Sequence, residues 1–129
     1  MNKALFFVLG ILFPCMVWAD VTFTSGKKVK VNLPVEEAEV VHTAFDIFKK
    51  DFQRVFGAEV VEAKKAHVII GTIGQGSEAE KKLSGQTLNE LKSHREAFAL
   101  QVIEGKVYIV GSDKRGTAYG ILELSRLIG

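Results

Sequence analysis

Residues 98–129 are FALQVIEGKVYIVGSDKRGTAYGILELSRLIG, and this stretch decides the fold. Its first half contains two apolar runs, Phe98–Ile103 and Lys106–Val110, separated by Glu104-Gly105. Runs rich in β-branched and aromatic residues on either side of a two-residue loop that contains glycine are typical of a β-hairpin. The sequence therefore predicts two paired strands here.

A helix is predicted to follow this hairpin. Ser112 or Asp113 can accept a hydrogen bond from a first-turn amide, so either can cap the helix. Gly116 and Gly120 are four residues apart and share one helix face, which allows the helix to lie close against the strands. We expect core residues around that contact to be Tyr119, Ile121 and Leu122.

The preceding residues contain further strand patterns. Val21–Thr24 and Val29–Leu33 alternate between apolar and polar residues, and Glu59–Glu62 is also typical of a strand. His67–Gly71 is apolar on both faces, as expected for the interior of a sheet. The sheet is therefore predicted to centre on this last segment.

A long helix is predicted between Pro34 and Gly57. Proline suits a first helical turn, Glu36 and Glu37 favour the positive N-terminal end, and glycine suits the position after the C-terminus. An apolar stripe at steps of three and four consists of Ala38, Val41, Phe45, Phe48, Phe52 and Val55. This spacing predicts that the phenylalanines Phe45, Phe48 and Phe52 are core residues rather than a platform for stacking sugars.

Residues 71–91 are predicted to form a loop and two short helical pieces. Gly71–Gly76 is rich in glycine, Ser77 can cap a helix through Leu83, and a second piece runs from Thr87 to Leu91. The predicted order is β-β-α-β-β-α-β-β-α. We expect one α+β domain, a small mixed β-sheet with two long helices packed on one face.

The first nineteen residues have the pattern of a secretory signal peptide. Lys3 precedes a mostly apolar run from Ala4 to Trp18, and Ala19 is a small residue at the expected cleavage point. A membrane anchor is an alternative, although the run is shorter than the roughly 20 residues needed to span a bilayer. Lipoprotein processing at Cys15 is another. We expect a signal peptide at 1–19 and a domain at 20–129 that is secreted or periplasmic and not in the membrane.

The predicted mature chain must be held together by its core. The only cysteine lies in the leader, so a disulfide and thiol chemistry are both excluded after cleavage. Sixteen basic and fifteen acidic residues remain, a formal charge of +1, which gives no indication of nucleic-acid binding. A single domain of this length is small for a complete polysaccharide-cleaving enzyme.

Two glycine segments are candidate anion sites. Gly71, Gly74 and Gly76 follow a strand, but their spacing does not fit the dinucleotide fingerprint and no phosphate-binding lysine motif is present, so a tight surface loop is predicted. Gly111–Gly116 combines exposed amides with two cations and could hold an anion. A capped helix start that packs on the strands is the favoured interpretation.

Catalytic and metal-binding residues are not assigned. His42, His67 and His94 lack metal-ligand spacing, and we expect neither a metal nor a cofactor. Glycosidases need two carboxylates flanking a cleft. The candidates by composition alone are Asp46, Asp51, Glu62, Glu90, Glu96, Glu104, Asp113 and Glu123. Tyr108 and Tyr119 are the remaining candidates for contact with a sugar.

The segment Gly111–Gly129 resembles the end of the N-terminal module of glycoside hydrolase family 115, the xylan α-glucuronidases. Phe45–Phe56 is similar to its long helix, and His67–Gly74 to its strand and glycine loop. The resemblance continues through Phe98–Val102. Shorter versions of these motifs occur in the N-terminal modules of family 20 hexosaminidases and family 67 α-glucuronidases.

The resemblance implies a hexosaminidase-like N-terminal domain that packs beside a catalytic barrel. In these enzymes the catalytic and sugar-binding residues lie in later domains, so no catalytic residue is carried over. The expected function is a non-catalytic module or fragment of a secreted hydrolase acting on glucuronoxylan-type polysaccharide. Its partner would be the barrel, and the final helix should expose an apolar patch.

Two other classes of function stay open. One is a free-standing exported module that binds a carbohydrate or a protein through residues 71–76 or 84–96. The other is a self-sufficient small hydrolase, for which the residues supply no identifiable transition-state machinery.

Overall fold

The computed structural model describes residues 21–129, so the predicted leader and Cys15 lie outside the described residues. The strands are β1 (Val29–Asn32), β2 (Val60–Glu62), β3 (Val68–Thr72), β4 (Phe98–Ile103) and β5 (Lys106–Gly111). The helices are α1 (Glu39–Phe56), α2 (Glu78–Lys82), α3 (Gly85–Lys92) and α4 (Lys114–Ile128).

One mixed sheet contains these five strands in the order β2-β1-β3-β5-β4. All neighbouring pairs are parallel except β4 and β5, which form the predicted antiparallel hairpin. Every residue of β3 is buried, because the strand lies at the centre and both of its faces are covered. The predicted α+β class and mixed sheet are confirmed.

The two long helices pack against each other on one face of the sheet, as predicted. Phe45, Phe48 and Phe52 are buried between α1 and the strands. Burial of a phenylalanine side chain contributes about 1.5–3 kcal/mol, so this stripe is a main source of stability. The opposite face is covered by α2 and α3, where Ala79, Leu91 and the residue after α2, Leu83, pack with sheet residues in a second, smaller core cluster.

Helix α1 begins later than predicted. Residues 34–37 form a turn, closed by a hydrogen bond of 3.1 Å from the Glu37 amide to the Pro34 carbonyl, and the helix starts at Glu39. Glu37 turns inward instead of lying at an exposed helix end. The predicted end is correct, since Gly57 adopts the left-handed conformation just after Phe56.

The strand predicted at Val21–Thr24 is wrong. The segment runs towards the end of α1, where the Gly26 amide donates to the Phe56 carbonyl at 2.7 Å. Phe23 packs edge-on against Phe52 and Phe56, with ring centroids 5.8 and 6.0 Å away. The alternating pattern therefore reflects burial of this segment against α1 rather than pairing in the sheet.

The predicted short helices are both present. Ser77 caps α2, and its hydroxyl accepts from the Glu80 amide at 3.2 Å. The second piece is longer than expected, because Ser84 caps α3 and the helix begins at Gly85. Glu104 and Gly105 both have positive φ, 52° and 79°, as a tight two-residue hairpin turn requires.

Helix α4 lies close to the sheet at the predicted glycines. A methyl group on Gly116 would come within 2.0 Å of the Ala97 carbonyl oxygen, and one on Gly120 within 2.6 Å of Ile109. Ile121 is buried as expected. Tyr119 and Leu122 are exposed, so their assignment to the core is wrong: they lie on the side of α4 that faces away from the strands.

Candidate functional site

Four large apolar side chains form an exposed surface on the helix pair, here called the apolar flank. They are Val40 and Ile47 on α1 and Tyr119 and Leu122 on α4, with 39%, 43%, 44% and 37% of their surfaces exposed. Residues seven apart, or three apart, lie on the same side of a helix. The two apolar residues of each helix therefore lie on one side of that helix.

The contacts between α1 and α4 define the relative register of these two pairs. The two helices run in the same direction, because Asp51 lies near Ser125 and a side chain at Gly129 would touch Val55. One turn before the Asp51 and Ser125 contact, this register brings Ile47 level with Leu122. From this register we infer that the apolar flank continues across the groove between the helices.

Ion pairs border the apolar flank. Asp51 pairs with Arg54 at 3.1 Å one turn after Ile47 on α1, and Glu123 accepts from Arg126 at 3.0 Å one turn after Leu122 on α4. An apolar centre with a charged rim is the usual composition of a protein interface. The surface is suited to contact with another folded domain.

The glycine loop between β3 and α2 is filled by a carboxylate of the chain itself. Gly74 and Gly76 have φ values of 95° and 67°, in the left-handed region that favours glycine. Glu80 accepts from the Gly74 amide at 3.0 Å and from the Gly76 amide at 3.0 Å. These are the amides that a phosphate would need. The predicted surface loop is confirmed, and its anion site is internally occupied.

The N-terminus of α4 is filled in the same way. Asp113 accepts from the Gly116 amide at 2.8 Å and from the Glu96 amide at 3.0 Å, and these hydrogen bonds lower the pKa of Asp113. Asp113 is therefore the cap. Ser112, the other candidate, instead accepts from the Ala97 amide at 3.0 Å and fastens the start of β4.

A third carboxyl group occupies the carboxyl ends of the parallel strands. Strands β1 and β3 are neighbours, but the connection after β1 leads to one edge of the sheet and the connection after β3 leads to the other. In open α/β sheets, ligands bind at the carboxyl ends of two strands whose connections diverge in this way. Here Glu37 is 5% exposed, and its two carboxyl oxygens lie 3.0 and 3.1 Å from the Thr72 hydroxyl oxygen, within hydrogen-bond distance. The turn after β1 thus closes the place where a ligand would enter.

The carboxylates considered for catalysis are spread over the surface. Most of them pair with a basic neighbour: Asp46 with Lys49, Asp51 with Arg54, Glu96 with Arg115, Glu104 with Lys82, and Glu123 with Arg126. Asp113 is a cap, and Glu62 and Glu90 are exposed. The Arg54 guanidinium lowers the pKa of Asp51, and Arg126 lowers that of Glu123.

The histidines have separate environments. His67 accepts from the Lys30 amide at 3.1 Å, His94 lies beside Ser93 at 3.0 Å, and His42 is half-buried on α1. Within residues 21–129 no three His, Cys, Asp or Glu side chains are grouped as metal ligands would be. No helix in this part of the chain is long and apolar enough to cross a membrane.

Comparisons with known proteins identify the fold family. The sequence matches no family profile and no curated protein. Among solved structures it is similar to a glycoside hydrolase family 115 4-O-methyl-α-glucuronidase described as having specificity for decorated arabinogalactans. The two share 39% identity over 84% of this chain, with a TM-score of 0.76. This chain is a family 115-related domain.

The family 115-related domain spans only a small part of that relative. The match covers 14% of the glucuronidase chain, so the comparable region there is one unit attached to much more polypeptide. The predicted resemblance to family 115 is confirmed by this match. It also agrees with the fold, since the α+β architecture is shared.

Sequence reasoning about the family 115-related domain missed the roles of Glu37, Thr72 and Glu80. Glu37 stands next to Glu36 in a polar turn, and nothing in the sequence distinguishes the buried acid from the exposed one. Glu80 follows its capping serine by three residues, a spacing that could have pointed to a carboxylate near the loop amides.

Proposed function

We propose that residues 20–129 are a non-catalytic N-terminal module of a secreted or periplasmic glycoside hydrolase, exported by a signal peptide at 1–19. The module would stabilise a catalytic barrel supplied elsewhere in the polypeptide. The observation that carries this proposal is the 39% identical match to a region that makes up 14% of a family 115 glucuronidase.

The chemistry of the described surface supports a scaffolding role. Three places where backbone amides or strand ends could receive a ligand are filled by Glu80, Asp113 and Glu37. A glycosidase needs two carboxyl groups that face each other across a cleft, whereas most of the acids considered for catalysis are in separate ion pairs on the surface. A catalytic role would need groups of another kind.

The apolar flank supports docking on a neighbouring domain. Exposed apolar side chains that are neighbours on a rigid helix pair lose little conformational entropy on association. Tyr119 is the strongest candidate anchor, because tyrosine is enriched among residues that dominate interface energetics. The barrel is the proposed partner, and polysaccharide would be bound by the enzyme as a whole.

The proposed substrate is a plant polysaccharide that carries glucuronic acid, of the glucuronoxylan type. The chain, expressed with its own leader and purified after export, should release no uronic acid from 4-O-methylglucuronoxylan or from decorated arabinogalactan. A complete family 115 glucuronidase is the positive control. Release at a rate proportional to the concentration of this chain would overturn the non-catalytic assignment.

Retention on insoluble xylan separates the module from the alternative of a free-standing binding protein. We expect the isolated chain to pass through a xylan column without delay. Specific retardation that soluble xylan abolishes would favour the binding module, for which residues 71–76 and 84–96 are the predicted contact surfaces.

A further inference from the structure

The buried carboxyl group of Glu37 begins a chain of hydroxyl groups that ends on the main chain. The Thr72 hydroxyl oxygen lies 3.0 and 3.1 Å from the two carboxyl oxygens and 2.6 Å from the Thr117 hydroxyl oxygen. The Thr117 oxygen is 3.2 Å from the carbonyl oxygens of both Gly71 and Asp113. All three side chains are buried.

Counting protons shows that this chain can run in two directions. Each threonine hydroxyl has one proton to donate. With an ionised Glu37, Thr117 donates to Thr72 and Thr72 donates to the carboxylate, so Thr117 cannot donate to either carbonyl. With a protonated Glu37, the carboxyl donates to Thr72, Thr72 to Thr117, and Thr117 to a carbonyl. The protonated form makes one more hydrogen bond.

The surroundings also bear on the choice between these forms. Burial raises the pKa of Glu37, and the nearby Glu36 acts in the same direction. The Thr72 hydroxyl, His42 on α1 and the Ala38 amide oppose it. Strand β3 and helix α4 present the uncharged Thr72 and Thr117 to the carboxyl group. Burial is the largest of these effects.

We propose that Glu37 is a protonation switch that locks the β1–α1 turn to β3 and α4 when it holds a proton. Release of the proton reverses the hydroxyl chain, leaves a charge in a buried site and loosens the turn at residues 34–38. This device is independent of the proposed role as an enzyme module.

The direction of the pH effect follows from the raised pKa in the folded state. The stabilisation is fully present below the pKa of the unfolded chain, which is near 4.5 for a glutamate, and is lost as the pH rises through the folded value. Within that window the unfolding equilibrium constant should increase by up to about tenfold per pH unit.

Glu37→Gln tests this inference, because its amide can donate to Thr72 at every pH. Urea unfolding from pH 4 to pH 9 should show the native chain losing stability relative to this variant as the pH rises. Glu36→Gln, at the exposed neighbouring position, should show the same loss of stability with rising pH as the native chain. If the free energy of unfolding of Glu37→Gln is lower than that of the native chain by the same amount at every pH, the proposed switch is contradicted.

Carboxyl ¹³C chemical shifts of the native chain provide a test that does not depend on a variant. Glu37 should titrate above the other glutamates, and its shift should be accompanied by changes at the Thr72 and Thr117 resonances. A Glu37 that titrates at or below the value of exposed glutamates would contradict the proposal even if Glu37→Gln fails to fold.

Discussion

Gly116 allows helix α4 to touch the start of β4 directly. A methyl group at this position would lie 2.0 Å from the Ala97 carbonyl oxygen, which is main chain and cannot move aside without displacing the strand. Interiors packed at crystal density do not absorb such an overlap. The close approach therefore depends on the absence of a side chain.

Gly116→Ala should lower the free energy of unfolding by about 1–3 kcal/mol, because overpacking forces the helix away from the sheet. Gly85→Ala is the matched control, since a methyl group there meets nothing within 4 Å. That variant should be unchanged or more stable by up to about 1 kcal/mol. Urea denaturation measures both, and equal effects at the two positions would refute the packing argument.

Single residues also show where sequence reasoning succeeds and where it ends. Gly116 was predictable, because its spacing from Gly120 marks one helix face. Burial of Glu37 was not, since it depends on Thr72, 35 residues away, and on Thr117 beyond that. Tyr119 is predicted in the core because an exposed apolar side chain on a helix can have the same local sequence pattern as a buried one.

At the scale of elements, α4 depends on its cap. Asp113 joins the first turn of the helix to Glu96, whose φ of 55° is left-handed, and thereby holds the entry to β4. Loss of a helix cap costs about 1 kcal/mol. The pKa of Asp113 is lowered, so this stabilisation is present above the unfolded value and is lost as the pH falls through the folded one.

Asp113→Ala should therefore be less stable than the native chain by about 1 kcal/mol at pH 7, and the difference should shrink below about pH 4. Asp113→Asn retains a capping oxygen and should lose less. Thermal denaturation across pH 2.5–7 gives the comparison. A deficit in Asp113→Ala that stays constant over this range would show that the carboxylate is not what holds the helix start.

The glycine loop is organised by Glu80 from the neighbouring short helix. Glu80→Ala should leave the sheet intact while hydrogen exchange at the Gly74 and Gly76 amides becomes at least about tenfold faster, since their acceptor is removed. Glu78→Ala, exposed on the same helix, is the control and should leave these amides protected. Unchanged exchange in Glu80→Ala would mean that the loop holds its shape without the carboxylate.

Elements as a whole were more predictable than their ends. The spacing of apolar residues predicts α1, β3 and α4 correctly, because burial of their continuous apolar surfaces is the main contribution to their stability. The predicted start of α1 and the predicted strand at residues 21–24 are wrong for the same reason. Both are decided by contacts with distant main chain or side chains, as in the hydrogen bond from Gly26 to Phe56.

On the scale of the whole molecule, the apolar flank should make the isolated chain self-associate. Tyr119→Ser combined with Leu122→Ser should shift light scattering towards a monomer at concentrations where the native chain forms dimers or larger species. Val35→Ser removes an exposed valine on the turn before α1 and should change little. Equal association in all three chains would exclude the flank as the contact surface.

The size of the native protein is the measurement that bears most directly on the proposed module. Antibody raised against residues 20–129 should detect, in the producing cells, a band far above the 14.2 kDa of this chain. That result would place the domain in a complete glycoside hydrolase, as the 14% share of the family 115 relative leads us to expect. A band at or just below 14.2 kDa would contradict the account and identify a free-standing protein.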